Sequence, residues 1–272
     1  MSERWLMPPL WFDLCWEIGG FDEAPFPIAV RSHGATLEER AVLRQRALPE
    51  MRAAGLLADG GLAPRFAHVL GQIAKPGLWV EGVWMPDDTT DSPARLLSVA
   101  TDEGAVLCVQ EPGESEQFGG DLRISVHHRT SVAAAAVQGM PSAPPGRRPR
   151  LAVPVADLAP RDNTDESFED VDMMQSVGTR RTTPAAQALR AITEEQHYRD
   201  GQFTANLRDR IGRTHRSQVF RWFDAFEPDG RYGVTQQQRP GVGPEIVLAP
   251  VGPADLSTAL DNRIAEVRSQ AH

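Results

Sequence analysis

The sequence predicts an α+β fold: a largely antiparallel sheet flanked by helices and built from two related halves. Three observations carry this expectation. From Trp79 the hydrophobic period changes from helical to two, giving four strand-like runs whose short connections permit only an antiparallel meander. After an acid-rich interval the chain repeats the order helix, strands, helix. Two short apolar strands also run alike into proline and Ala-Asp-Leu, LAVPVADL at 151–158 and VLAPVGPADL at 247–256. The halves are therefore drawn at 1–158 and 183–272, with 159–182 as an acidic, flexible connector and the whole as one compact domain.

The first half opens its helical part at Thr36. In TLEE the side chains of Thr36 and Glu39 can each satisfy a free backbone N–H, a capping box. Leu37, Ala41, Leu48 and Met51 then follow at helical spacing, and Pro49 predicts a kink or two consecutive helices. A second helix carries Leu62, Phe66, Leu70 and Ile73 on one stripe and stops at Pro76. The strand-like runs are LWVEGVW, RLLSVAT, AVLCVQE and DLRISVHHR, separated by turn-forming Gly, Pro and Asp. Leu122, Ile124 and Val126 share one face of the last run. An alanine-rich helix follows near 131–138, and GMPSAPPGRRPR reads as a stiff, basic, exposed link.

The connector places six acids in the eleven positions 162–172 with only Phe168 and Val171 to bury. The second half restarts at Thr183-Pro184, an N-cap with proline behind it. A helix through Leu189 and Ile192 leads to the strand-like GQFTANLRD and SQVFRWFDAF, then EIVLAP, then a last helix on Leu256, Leu260, Ile264 and Val267. Asp255 enters its first turn, where a negative charge suits the helix dipole.

Bulk properties narrow the function. The 272 residues can bury a sizeable core, and 41% apolar with 24% charged residues is ordinary for a globular protein. A net charge of −9 opposes nucleic acid as a partner, because phosphate binding needs a positive field. Asp13 and Glu17 inside the apolar part of the N-terminal segment, after Pro8-Pro9, argue against a signal peptide. No apolar run approaches the roughly 20 residues that span a bilayer. Membrane insertion is not expected, and the cytoplasm is the expected location. Cys15 and Cys108 leave a disulfide open, but two buried thiols are the expectation.

Chemical motifs are sparse. There is no GxxxxGK[ST], no GxSxG and no CxxC, and GVGP at 241–244 cannot open a dinucleotide helix. His127 and His128 point to opposite faces of a strand, so at most one could serve a given site. His33, His68, His197 and His215 have no neighbours at ligand spacing. The acidic run lacks the glycine and terminal glutamate of a calcium loop. No metal, cofactor or catalytic residue is assigned. The six tryptophans are read mainly as core, with Trp79 and Trp84 on opposite faces of one strand and one of them open to an outer face.

One stretch invites catalysis: Asp224–Thr235, DAFEPDGRYGVT. Its EPDG is turn chemistry, with Pro228 at the second turn position and Gly230 left-handed. SQVFRWFDAF and RYGVTQQ become the arms of a hairpin, with Asp229 at a tip in water, a poor place for a tuned acid. The alternative keeps a soluble enzyme, hydrolase-like, or a small-ligand binder with a site near Asp224, Arg231 and His128.

FRWFDAFEPDGRYGV also resembles the aromatic–Asp–Gly-Arg-Tyr hairpin near the C-terminus of the EspG family, chaperones of type VII (ESX) secretion in actinobacteria. GQFTANLRDRIGR, EIVLAPVGPADLSTALDNRIAEV, TLEERAVLRQRALPEMRAAGLL and AKPGLWVEG are similar to the family's neighbouring segments, so the likeness runs from about residue 36 to the end. The connector and the proline-rich link have no counterpart in it. The resemblance implies a central, largely antiparallel sheet with quasi-two-fold halves and flanking helical bundles. It further implies a non-enzymatic cytosolic chaperone that binds a secreted PE–PPE-like heterodimer or related helical hairpin and masks its hydrophobic tip. On this basis Gln202, Thr204 and Arg208 are the candidate partner-binding positions, and Val267 with its stripe is assigned to the core. Exposed edges of a mixed sheet leave a homodimer open.

Overall fold

The computed structural model describes residues 3–158 and 183–271; the acidic connector lies outside the described residues. The chain runs β1 (Arg4–Met7), α1 (Pro9–Ile18), α2 (Leu37–Ala53), β2 (Leu57–Ala58), β3 (Gly61–Leu62), α3 (Pro64–Ala74), β4 (Leu78–Met85), β5 (Ala94–Thr101), β6 (Gly104–Gln110), β7 (Leu122–His128) and α4 (Val132–Gly139). After β8 (Leu151–Pro154) come α5 (Pro184–Glu194), β9 (Arg199–Arg208), β10 (Thr214–Arg216), β11 (Phe220–Asp224), β12 (Arg231–Arg239), β13 (Gly243–Pro250) and α6 (Pro253–Gln270).

Eleven strands form one sheet in the order β1-β7-β6-β5-β4-β9-β11-β12-β13-β8, with β10 attached to β9. Its strand pairs are antiparallel, not mixed. β4 and β9 meet at the centre, Leu78 opposite Leu207 through Met85 opposite Asp200. From there each half winds outward in the same order. Each outermost strand, β7 or β13, is covered by a four-residue strand that comes earlier in the chain, β1 or β8. This is a quasi-two-fold arrangement about the β4/β9 pair.

The topology corrects one sequence argument. LAVP and VLAP are not equivalent positions of two repeats; they lie on neighbouring strands, and β8 pairs with the first part of that segment, Leu151 opposite Leu248 and Pro154 opposite Glu245. The counterpart of β8 is β1.

Both sheet faces carry helices, in unequal ways. On one face Val80, Trp84, Leu96, Phe203, Phe220 and Trp222 pack under α4 and α6, with Leu256, Leu260, Ile264 and Val267 buried as expected. On the other face there are two separate cores. Trp79, Leu97, Val99, Cys108 and Ile124 pack under α1 and α3, while Phe223, Tyr232, Leu248 and Val153 pack under Ala186, Leu189 and Ile192 of α5. Burial of apolar area on this scale, at about 25 cal/mol per Å², is what holds helices to a sheet. Trp79 and Trp84 do lie on opposite faces, but neither is open: they are 6% and 5% exposed because both faces are covered there.

Other helices depart from expectation locally. Thr36 caps α2 by accepting from the N–H of Glu39 (3.1 Å), while the Glu39 carboxylate accepts from Ala35 N–H (2.8 Å). The helix passes through Pro49 as one segment. Its expected stripe fails at the start, where Leu37 is 84% exposed and only Ala47 and Met51 are buried. α1 was not visible as a helix because Pro8-Pro9 read only as a break; proline is in fact favoured in a first helical turn. Arg40 ties α1 to α2 through Asp13 (2.8 Å) and Glu17 (2.6 Å). The two cysteines are free and buried in the same core, which pushes both thiols up to about 12.

Candidate partner-binding face

The hairpin expected around EPDG is present: β11 pairs with β12, Asp224 opposite Arg231 and Phe223 opposite Tyr232. Its turn is not the expected one. The Glu227–Pro228 peptide is cis, and Gly230 does not take the left-handed conformation. Gly230 is needed for a different reason, since an added Cβ would lie 2.5 Å from the carbonyl oxygen of Pro144.

Asp224 and Arg231 form a buried ion pair. Arg231 Nε and Nη2 donate to the two Asp224 oxygens at 2.6 and 2.8 Å, and its guanidinium lies 4.5 Å from the Trp222 ring. Arg199 adds a third contact to Asp224 at 3.2 Å. His128 is far from this pair, on β7 with β6, β5, β4 and β9 between it and β11, and it faces Glu103 at 3.4 Å. Of the three residues of the enzymatic alternative, Asp224 and Arg231 meet and His128 does not join them.

Asp229 does not hang in water. Its Oδ1 accepts from the N–H of Arg147 (2.8 Å), the N–H of Gly230 (3.0 Å) and the Tyr232 hydroxyl (2.7 Å), and Arg148 Nε stands 2.9 Å from Oδ2. The Tyr232 hydroxyl in turn accepts from Arg148 N–H at 2.8 Å. Burial by itself pushes the Asp229 carboxyl up, but these donors outweigh it and hold the group below the usual range. The proline-rich link is therefore no free spacer. It is bound to the hairpin also by Arg231 N–H to Pro144 O (2.8 Å) and Gly146 N–H to Arg231 O (2.9 Å). An open groove of about 840 Å³, lined in part by Tyr198, Arg199, Phe226 and Pro228, lies beside it.

The candidate positions Gln202, Thr204 and Arg208 sit at alternating places on β9, on the face turned away from α4 and α6. Between the α1/α3 core and the α5 core is a strip of this face that no helix among the described residues covers. Gln202 and Arg208 are exposed there, with Arg208 5.9 Å from the Trp79 ring. Thr204 is only 3% exposed, a correction to its expected place on the surface, because Arg216 and the flanking side chains lie across it. Beneath the strip Glu81 is 7% exposed. Its Oε1 accepts from Trp79 Nε1 (2.9 Å), its Oε2 has no hydrogen bond, and Arg216 Nη2 stands 3.3 Å away. Burial raises the carboxyl above its ordinary value, with Trp79 and Arg216 opposing. Sequence reasoning missed Glu81, Arg216 and Arg221. A signal for the first was present, since Glu81 is the one acid inside LWVEGVW.

Among the described residues no group of three His, Cys, Asp or Glu could hold a metal ion, and no helix is long and apolar enough to cross a membrane. Fold and site together define an α+β protein whose open feature is a sheet face framed by helices. The EspG family model matches residues 8–262, and the chain belongs to that family. No curated protein matches the sequence. The fold is similar to that of the Mycobacterium tuberculosis type VII secretion system chaperone EspG5, solved in complex with the PE25–PPE41 dimer. The two share 13% identity with a TM-score of 0.62, over 97% of this chain and 96% of that one.

Proposed function

We propose that this protein is a non-enzymatic chaperone of type VII (ESX) secretion. It binds a PE–PPE-like heterodimer, or a related helical hairpin, covers its apolar tip and keeps it soluble before export. Family membership over residues 8–262 is the observation that carries this function. The likeness to EspG5, a chaperone solved with such a dimer, supports it. Covering an apolar tip works because exposed apolar area otherwise self-associates. A client held before export is met in the cytoplasm.

The strip on β9 and β11 that no described helix covers is the surface we assign to the client. Gln202 and Arg208 reach it directly, and Thr204 lies buried between them on the same face. Affinity purification of the tagged protein from its own cells should recover a small, helical, secreted protein. Recovery of none overturns this function. The enzymatic alternative is not favoured, because Asp224 and Arg231 are committed to each other and His128 lies elsewhere.

A further inference from the structure

The chain is acidic, but on the β9–β11 strip the sign reverses. Residues 208–221 hold Arg208, Arg210, Arg213, Arg216 and Arg221 against the single acid Asp209, in a protein of net charge −9. All five arginines are exposed, and the fold gathers them. Arg208 ends β9, Arg210 and Arg213 lie in the turn to β10, and Arg216 stands opposite Asn206 on the face that carries Arg208. Arg221 stands opposite Gln202 on that same face, at a cleft of about 330 Å³ shared with Val83, Met85 and Asp200. Asp209 is turned to His215, 3.0 Å away. Among the described residues none of Arg208, Arg210, Arg213 and Arg221 has a carboxylate within 4.0 Å; Arg216 has only the buried Glu81.

We infer that this arginine strip reads carboxylates on the secreted client, so that the client's apolar tip is flanked by Asp and Glu. The inference rests on the proposed chaperone function. Guanidinium groups bind carboxylates through a planar, two-pronged fork, which suits a strip of spaced arginines on a flat sheet face. Ile211, 88% exposed, and Val219, 41% exposed, border the strip and supply the apolar part of a mixed protein contact. A polyphosphate partner fits less well. It would extend past the strip onto a surface whose remaining charge is strongly negative. Glu81 has a separate role here: it stands under Arg216 and positions that guanidinium at the surface.

The test uses the full chain and the variant R208E/R213E/R221E, which leaves the Arg216–Glu81 pair intact. A labelled oligoglutamate peptide and a single-stranded RNA of equal charge are titrated by fluorescence anisotropy, at low and at physiological salt. Wild type should bind the peptide, more weakly as salt rises, and the variant should bind at least about tenfold more weakly with an unchanged melting temperature. Equal peptide binding by the two proteins overturns the inference. Tighter binding of the RNA overturns the assigned partner class. A wild-type dimer that becomes a monomer in the variant shows that the strip pairs copies of the chain, and also overturns it. Client captured from native cells equally by both proteins removes the inference and leaves the chaperone function standing. Capture by neither removes the chaperone function and the inference with it.

Discussion

Replacing Arg231 by methionine should destabilise the protein by about 3–4 kcal/mol. The substitution keeps an unbranched apolar stem and removes the guanidinium, which lies over Trp222. Two charge-assisted hydrogen bonds to Asp224 vanish, with a third to the carbonyl of Pro141 at 3.0 Å. Breaking a buried pair by deleting one partner costs roughly 3–5 kcal/mol, because the other charge stays buried. Asp224 keeps Arg199 at 3.2 Å, which places the loss low in that range, and the orphaned Pro141 carbonyl adds about 1 kcal/mol. At roughly 2–4 °C per kcal/mol for a chain of this size, the melting temperature should fall by about 10 °C. Urea unfolding with an unchanged slope gives the free energy directly. The double variant D224N/R231M should be more stable than R231M alone, since no buried charge is stranded. A loss in R231M below about 1 kcal/mol, or a double variant as unstable as the sum of the singles, would refute the structural role of the pair.

Further tests address the link, the acid limb and the thiols. Gly146→Ala would place a Cβ 2.1 Å from the Tyr232 ring and should cost about 2–3 kcal/mol in a thermal or urea melt, because the link cannot lie on the hairpin without moving. Asp13 and Asp229 have depressed carboxyl pKa values: burial opposes ionisation, but the Arg40 and His33 donors at Asp13, and the Arg147, Tyr232 and Gly230 donors at Asp229, outweigh it. Their contribution is fully present above the unfolded value of about 4 and is lost as pH falls through the folded values. Melting temperature should therefore hold from pH 7 to 5 and decline below about pH 4, and D229N should flatten that decline. Neither cysteine should react with a thiol reagent at pH 8 in the native state, whereas both should react in denaturant.

The α+β class, the meander, the capped helices and the C-terminal hairpin were legible because each is written locally. Alternating apolar residues define β4 to β7, Thr36 and Thr183 are read as caps from their own neighbours, and EPDG marks a turn whatever surrounds it. α1 was missed because its signal, proline in the first turn, is the same residue that elsewhere marks a break. The stripe on α2 was misplaced because periodicity names a face but not which turns of the helix have anything to pack on. The strip was only half visible: Gln202 and Arg208 could be set on one strand face, but Arg216 and Arg221 join them only through pairing with β9.

Most of the elements and the family likeness are written in the sequence, as is the run of arginines at residues 208–221. Tertiary structure alone decided that Asp229 fastens the link and that LAVP borders β13. It also decided that Thr204 and Glu81 are buried while their strand neighbours stay open. The physical reason is that backbone propensity acts over a few residues, whereas burial and charge pairing depend on which distant strands the sheet brings side by side.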